Sequence, residues 1–277
     1  MTPEEFSYLA DFLKKESGLV VSENKGYLIE SRLLPIARDM GLENISELVG
    51  KMRANGPRAL LDDVTEAMTT NESFFFRDKT PFTILEETVL PKMKETRATA
   101  KKLRIWCAAA STGQEPYSIA MILKEWASKL PNWKHDILGT DLSADVLRRA
   151  KLGKYTQFEV QRGLPIQMMV KYFQQEGNDW ELSSEVRAMV QYRKLNLLDE
   201  FSSLGKFDII FCRNVLIYFD QETKGKILER MAQQLTPDGY LFLGAAETVI
   251  GITDAFKPMP GQRGLYVPAA QLKAAVA

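Results

Sequence analysis

Leu103-Arg104-Ile105-Trp106-Cys107-Ala108, followed by Ala109-Ala110-Ser111-Thr112-Gly113-Gln114-Glu115-Pro116, is the stretch that decides the fold. The first six residues are an apolar run of strand length, the next few are small, and Pro116 opens a helical pattern (PYSIAMILKEW) that reaches Trp126. A buried strand feeding a helix through a turn of small residues opens a strand–helix–strand unit. Small residues there let the backbone approach a ligand at the amide-rich start of the helix, or simply let strand and helix pack. With one glycine in place of G-x-G-x-x-G, the two readings weigh about equally.

The alternation continues downstream. Asp136 to Thr140 (DILGT) reads as a strand, Ala144 to Ala150 as a helix, and Phe207 to Cys212 (FDIIFC) as a third strand. Lys224 to Leu235 is helical, a Pro-x-Gly turn follows, and Gly239 to Gly244 (GYLFLG) and Gly264 to Val267 are further strands. Strands alternating with helices predict an α/β domain over 91–277 with a mostly parallel sheet covered on both faces. Such sheets bind ligands beyond the carboxyl ends of their strands. One segment breaks the rhythm: a Gly-Asn-Asp turn, Trp180-Glu181-Leu182 and Val190-Gln191-Tyr192-Arg193 predict a small antiparallel insertion at about 174–195. The Ala-rich tail AAQLKAAVA reads as frayed or weakly helical.

Upstream, residues 1–70 read as helices only. Thr2, Pro3 and Glu4-Glu5 form a helix start, with Phe6, Leu9, Ala10 and Leu13 on one face and Gly18 as the stop. Ile29, Leu33, Ile36, Ala37 and Met40 stripe a second helix, in which Pro35 marks a kink or a start. Ser46 is expected to cap a third, and Leu60, Leu61, Val64 and Met68 stripe a fourth. Between these helices and the sheet, residues 71–90 form a linker that carries Asn71-Glu72-Ser73-Phe74-Phe75-Phe76-Arg77. Its three aromatics are too apolar for an open loop and read as a plug or as a roof over a cleft, whereas a plug does not call for Asn71, Ser73 and Arg77.

The composition narrows the chemistry. Lys plus Arg and Asp plus Glu both number 36, so no global positive field favours nucleic acid. The single histidine, His135, leaves no His-pair metal site and no ready catalytic triad. Cys107 and Cys212 sit in apolar runs and read as reduced packing residues of a cytoplasmic protein. No stretch reaches about 18 apolar residues, so no membrane span is expected. Asp141 ends the second strand, where an acid accepts from ribose hydroxyls or caps the next helix, a task Ser143 does better. Arg213-Asn214 follows FDIIFC and places two hydrogen-bonding side chains on the same rim.

These motifs, TTNESFFFRD, CAAASTGQEPYSIAM, the Asp of GTDLS, the Asn-Leu of LNLLDEF, and FDIIFCRNVLIYFD followed by LTPDGYLFLG, resemble the chemotaxis receptor methyltransferases, the CheR family, from about residue 65 to 250. Gln114 departs from the pattern, which usually has a second acid there. The resemblance implies a Rossmann-like class I methyltransferase sheet with a small antiparallel β insertion, preceded by an all-α domain. It implies S-adenosylmethionine (AdoMet) as cofactor, S-adenosylhomocysteine (AdoHcy) as product, and γ-methyl esters on glutamates of the cytoplasmic helices of chemoreceptors. By motif match, Asn71, Ser73, Arg77, Glu115, Asp141, Asn196, Leu197, Arg213 and Asn214 would bind the cofactor. Arg77 and Tyr218 would act at the transfer step, and Arg32 and Arg38 on the second helix would contact the receptor. The insertion resembles the subdomain that in some members grips a receptor's C-terminal pentapeptide, and its short Gln174–Asp179 loop implies a pentapeptide-independent enzyme. A methyltransferase of another substrate class and a non-catalytic AdoMet-binding scaffold stay open; balanced charge and a separate helical domain weigh against the first, and Arg77 with Tyr218 against the second.

Overall fold

The computed structural model describes residues 1–54 and 56–274. It divides into two compact units, Met1–Thr70 with Tyr218–Thr223, and Asn71–Ile217 with the described chain from Lys224.

The first unit is built of helices α1 (Pro3–Ser17), α2 (Gly26–Asp39), α3 (Ile45–Arg53) and α4 (Arg58–Met68). Thr2 and Glu5 close a reciprocal capping box, which satisfies two backbone donors at the start of α1, and Gly18 ends the helix at φ +76°. Pro35 lies inside α2. The cap of α3 is Asn44, not the expected Ser46: Asn44 Oδ1 accepts from the Glu47 amide at 3.0 Å, and Ser46 already lies within the first turn. Leu9, Leu13, Ile29, Leu33, Leu48 and Val64 meet in the centre, as their helical spacing predicts.

In the second unit, the stretch expected to be linker is helical from Thr80: α5 (Thr80–Ile84), a π-helical turn (Leu85–Val89) and α6 (Leu90–Thr96) follow one another. The main strands are β1 (Lys102–Ala108), β2 (Lys134–Asp141), β6 (Val190–Lys194), β7 (Phe207–Cys212), β8 (Leu235–Leu243), β9 (Phe256–Pro258) and β10 (Leu265–Pro268). Their order is β6-β2-β1-β7-β8-β10-β9. The first five run parallel, while β10 pairs antiparallel with β8 and with β9. Helices α7 (Gln114–Glu125), α8 (Ala144–Leu152) and α12 (Gln221–Gln234) alternate with the strands. Ile105, Ile209, Phe211 and Phe242 are fully or almost fully buried, as expected of strands covered on both faces. The chain order reverses direction at β1, with β2 on one side and β7 on the other, which makes the carboxyl ends there the switch point of the sheet.

Two expectations need correction. The antiparallel insertion begins earlier than read: β3 (Lys154–Thr156) joins β5 (Asp179–Leu182) and β4 (Phe173–Glu176) in the order β3-β5-β4. Val190–Lys194, read as part of that insertion, is instead an edge strand of the main sheet, parallel to β2. Its alternation reflects one-sided burial at a sheet edge. The Pro-x-Gly segment after α12 is not a turn before a strand. Strand β8 already starts at Leu235, and its pairing with β7 shifts register between Phe207 and Ile209. The tail is helical over α13 (Ala269–Ala274), and residues 275–277 of that reading lie outside the described residues.

Candidate active site

The turn after β1 is tightly drawn. Ala109, Ser111 and Gly113 all have positive φ, and the Ala110 amide donates to the carbonyl of Thr140 at 2.8 Å. Gly113 stands at φ +94°, where a Cβ would lie 2.6 Å from the Tyr192 hydroxyl. Only glycine fits there. Gln114, the departure noted in the sequence, is buried with its Oε1 accepting from the Thr112 hydroxyl at 2.8 Å. Its Nε2 has no hydrogen-bond partner among the described residues.

Asp141, at the end of β2, is 7% exposed and ties two loops together. Its Oδ2 accepts from the Ser111 amide at 2.8 Å and its Oδ1 from the Ser143 amide at 3.0 Å. Ser143, not Asp141, caps α8, through the Val146 amide. Past β6, Asn196 Oδ1 accepts from the Leu198 amide at 3.0 Å, and the Leu197 carbonyl accepts from Arg230 Nη2 at 2.9 Å.

At the end of β7, Arg213 is buried and donates from Nη1 to Glu115 Oε2 at 2.7 Å. Its Nη2 donates to the Arg77 carbonyl at 2.8 Å and to Asp78 Oδ2 at 2.7 Å. Burial pushes the Glu115 carboxyl up, and the Arg213 guanidinium draws it back down. Asn214 has φ +58°, and its amide donates to Glu247 Oε2 at 2.8 Å. Glu247 also accepts from the amides of Val215, Leu216 and Gly244. A Cβ at Gly244 would lie 2.7 Å from Glu247 Oε2 and 2.9 Å from the Asn214 amide nitrogen. Sequence reasoning missed Glu247; the signal was an acid three residues after the glycine that ends GYLFLG, on the same rim as Asp141.

The linker lies along this rim. The Asn71 carbonyl accepts from Ser111 Oγ at 2.9 Å, the Phe76 amide donates to Ser118 Oγ at 3.0 Å, and Ser73 is half-buried. Phe75 packs edge-on against Tyr155 and Phe173, with ring centres 5.0 and 5.5 Å away, and Phe76 packs against Phe82. Arg77 is half-buried and donates from Nη1 to the Glu72 carbonyl at 2.7 Å. Its guanidinium carbon lies 5.5 Å from the Phe74 ring centre, and that of Arg162 lies 4.3 Å from the same ring. Arg162, which the motif reading did not single out, also pairs with Glu72, at 2.5 Å.

The remaining sequence candidates lie in the helical unit. Tyr218 ends a single 3₁₀ turn, Leu216–Tyr218, and its carbonyl accepts from the Val20 amide at 2.9 Å. Arg32 donates to the carbonyls of Met68 and Thr69 and to the Thr70 hydroxyl, where it satisfies acceptors left open at the end of α4. Arg38 is exposed. Lys25 lies in the 3₁₀ turn Glu23–Lys25 that precedes α2.

The donor set fits a sulfonium nucleoside. Asp141 and Glu115 are acceptors for hydroxyl and amino groups, and two buried donors, Gln114 Nε2 and Arg213 Nε, have no partner among the described residues. Buried donors of this kind are few in folded proteins and call for an explanation.

Comparison with known proteins agrees with this fit. Residues 71–265 match the family described as CheR methyltransferase, SAM binding domain, and residues 4–69 match CheR methyltransferase, all-alpha domain. The chain is 40% identical over 269 residues to the chemotaxis protein methyltransferase Cher2 of Pseudomonas putida, covering 96% of this chain and 98% of that protein. It is 40% identical over 260 residues to the chemotaxis protein methyltransferase of Vibrio parahaemolyticus, covering 93% and 94%. It is 41% identical over 265 residues to chemotaxis protein methyltransferase 1 of Pseudomonas aeruginosa, covering 94% and 96%.

Proposed function

The chain belongs to the CheR methyltransferase family, with an AdoMet-binding domain and an all-α domain, and from that premise we propose that it methylates glutamate side chains of chemoreceptors in the cytoplasm. The products are glutamyl methyl esters and AdoHcy. The observation that carries this reading is the convergence of Glu115, Asp141, Arg213 and the Arg77 linker on the carboxyl ends of adjacent strands, with unpartnered donors among them.

AdoMet, when bound, supplies a methyl group already activated by the positive charge on sulfur. The work left to the protein is positioning. Asp141 would accept from the ribose hydroxyls and Glu115 from the amino group. Asn71, Ser73, Asn196, Leu197, Arg213 and Asn214 are the further residues that would hold the nucleoside and its methionyl end, and the turn from Ala109 to Gly113 would admit that end. The acceptor needs no general base: a glutamate with an ordinary pKa of about 4.3 is ionised at neutral pH, in keeping with a chain that has one histidine. Arg77 is given the task of orienting the incoming carboxylate through paired hydrogen bonds, and Tyr218 is the second residue that the motif match proposes for the transfer step. Good alignment of this kind is worth roughly 7–11 kcal/mol. Because the carboxylate's charge disappears as the ester forms, an arginine that held it too tightly would stabilise the ground state. Orientation is therefore the role given to Arg77.

Receptor docking falls to the helical unit. Arg38, exposed on α2, is the residue of that face best placed to meet an acidic helical bundle, while Arg32 holds the end of α4 beneath it. The hairpin from β4 to β5 turns through Gly177 and Asn178 alone, which supports pentapeptide independence. The test is incubation with labelled AdoMet and receptor-containing membranes. The expected result is label on receptor glutamates, released as methanol by base, and not reduced when the receptor's C-terminal residues are removed. Label confined to small metabolites or RNA would overturn the assignment.

A further inference from the structure

We infer that Asp78 is a positioning residue for the methyl-transfer step, holding Arg77 in place through its ion pair with Arg213; this rests on the reading that Arg77 acts at transfer. The turn that carries Arg77 is an unusual piece of backbone. Phe76, Asp78 and Lys79 have φ of +53°, +67° and +51°, and none of them is glycine. Such conformations persist only where the surroundings over-determine them, and they gather at functional sites.

Here the determinants can be named. On the amino side, the Phe76 amide is held by Ser118 Oγ, which itself donates to the Gln114 carbonyl. On the carboxyl side, one nitrogen, Arg213 Nη2, donates both to the Arg77 carbonyl and to the Asp78 carboxylate. Within the turn, the Lys79 amide donates to the Phe76 carbonyl at 2.9 Å. Arg213 is itself buried and held on several sides. Its side chain is 1% exposed, Glu115 fixes its other outer nitrogen, and the Phe82 ring centre lies 5.7 Å from its guanidinium carbon. Arg77 is thus gripped by its main chain from the two elements that also bear Glu115 and Arg213, which leaves its own guanidinium free to turn from the Glu72 carbonyl to a substrate carboxylate. Asp78 is the only acid in the turn, and its side chain, 39% exposed, supplies the charge that keeps Arg213 directed at the loop. Without it, among the described residues, Arg213 Nη2 keeps only the Arg77 carbonyl in the turn, a neutral acceptor weaker than a carboxylate.

The test uses the full-length enzyme with receptor-containing membranes. Asp78→Asn is the first variant, because asparagine keeps the shape and tolerates the left-handed backbone while removing the charge. The second is Arg213→Lys, which keeps the charge but cannot donate to both acceptors in a fixed fork. Each should lower kcat by about tenfold, as expected of a misplaced orienting group; in Asp78→Asn, which lies outside the cofactor-binding residues, AdoHcy affinity by calorimetry and the melting temperature should stay close to the parent's. In an Arg77→Ala background Asp78→Asn should add no further loss, because the group it positions is gone. A kcat within about twofold of the parent in both variants, with Arg77→Ala impaired, would overturn the inference alone. So would an equal loss from Asp78→Asn in the Arg77→Ala background, or AdoHcy affinity of Asp78→Asn falling in step with its kcat, since either marks a general structural or cofactor role. Full activity in Arg77→Ala itself would sink the reading of Arg77 and this inference with it.

Discussion

The two ends of the same parallel strands handle charge in opposite ways. Near the amino ends of β7 and β8, Arg97 gives Nε to Asp208 at 2.8 Å and both outer nitrogens to Asp238 at 2.7 and 2.6 Å. Close by, Arg104 gives Nε to Asp136 at 2.8 Å and Nη1 to the Lys206 carbonyl at 2.7 Å. Each guanidinium there is matched by carboxylates and carbonyls that the chain supplies. On that side His135 Nδ1 has no partner among the described residues, on a ring whose burial holds its pKa down and so favours the neutral form. At the carboxyl ends, acids are spent on backbone amides: Asp141 on Ser111 and Ser143, Glu247 on four amides. There, among the described residues, Gln114 Nε2, Arg213 Nε and the Tyr192 hydroxyl are left without partners. The difference teaches where to look for chemistry. An end whose polar groups close on one another is structural, whereas an end that holds its loops rigid and leaves donors unused is built for a ligand.

The comparison can be broken at several points. The largest effect is expected from Gly113→Ala, whose Cβ would stand 2.6 Å from the Tyr192 hydroxyl at φ +94°. Overpacking and the left-handed backbone together should cost about 2–4 kcal/mol in urea denaturation. Adding Tyr192→Phe should restore part of that loss, and no recovery at all would assign the strain to the backbone and to the Ala150 and Tyr117 contacts at 3.0 Å.

At the closed end, Asp238→Asn should destabilise by about 1–3 kcal/mol, because a charged hydrogen-bonding partner of Arg97 is lost, while kcat and AdoHcy affinity stay at parental values. The Asp238 carboxyl is held low by the Arg97 hydrogen bond. A carboxylate with a depressed folded pKa stabilises above its unfolded value, about 3.9, and loses that contribution as pH falls through the folded value. Below about pH 4 the parent should therefore lose stability more steeply than the variant. Thermal melts at a series of pH values would read it, and parallel curves would remove Asp238 from the account.

The smallest effect sharpens the contrast most. Asp141→Asn removes the charge and turns an NH2 group towards one of the two loop amides that Asp141 holds, so AdoHcy binding by calorimetry should weaken about tenfold. Unaltered affinity would make Asp141 a loop staple like Glu247.

Much of this could be read before any coordinates. The alternation from Leu103 onward has a period that only a covered parallel sheet satisfies, and Thr2 with Glu5 and Gly18 mark the ends of α1 by chemistry that acts within a few residues. The failures have one cause. Val190–Lys194 looked like a hairpin strand and is a sheet edge, and Thr236-Pro237-Asp238-Gly239 looked like a turn and is the irregular start of β8, because strand partners are chosen by long-range packing. The site divides along the same line. Asp141 and Arg213-Asn214 announced themselves by standing directly after apolar strands, whereas Asp78, Ser118 and Glu247 act on atoms dozens of residues away.

By itself the sequence determined the fold class, the helical start and the residue types that line the rim, since periodicity and caps are local properties of the chain. The tertiary structure alone decided that Arg213 reaches back to Arg77 and Asp78 and that Glu247 gathers the amides of two loops. A hydrogen bond has direction and a reach of about 3 Å, so which acceptor a buried donor meets depends on where the folded sheet sets the ends of its strands.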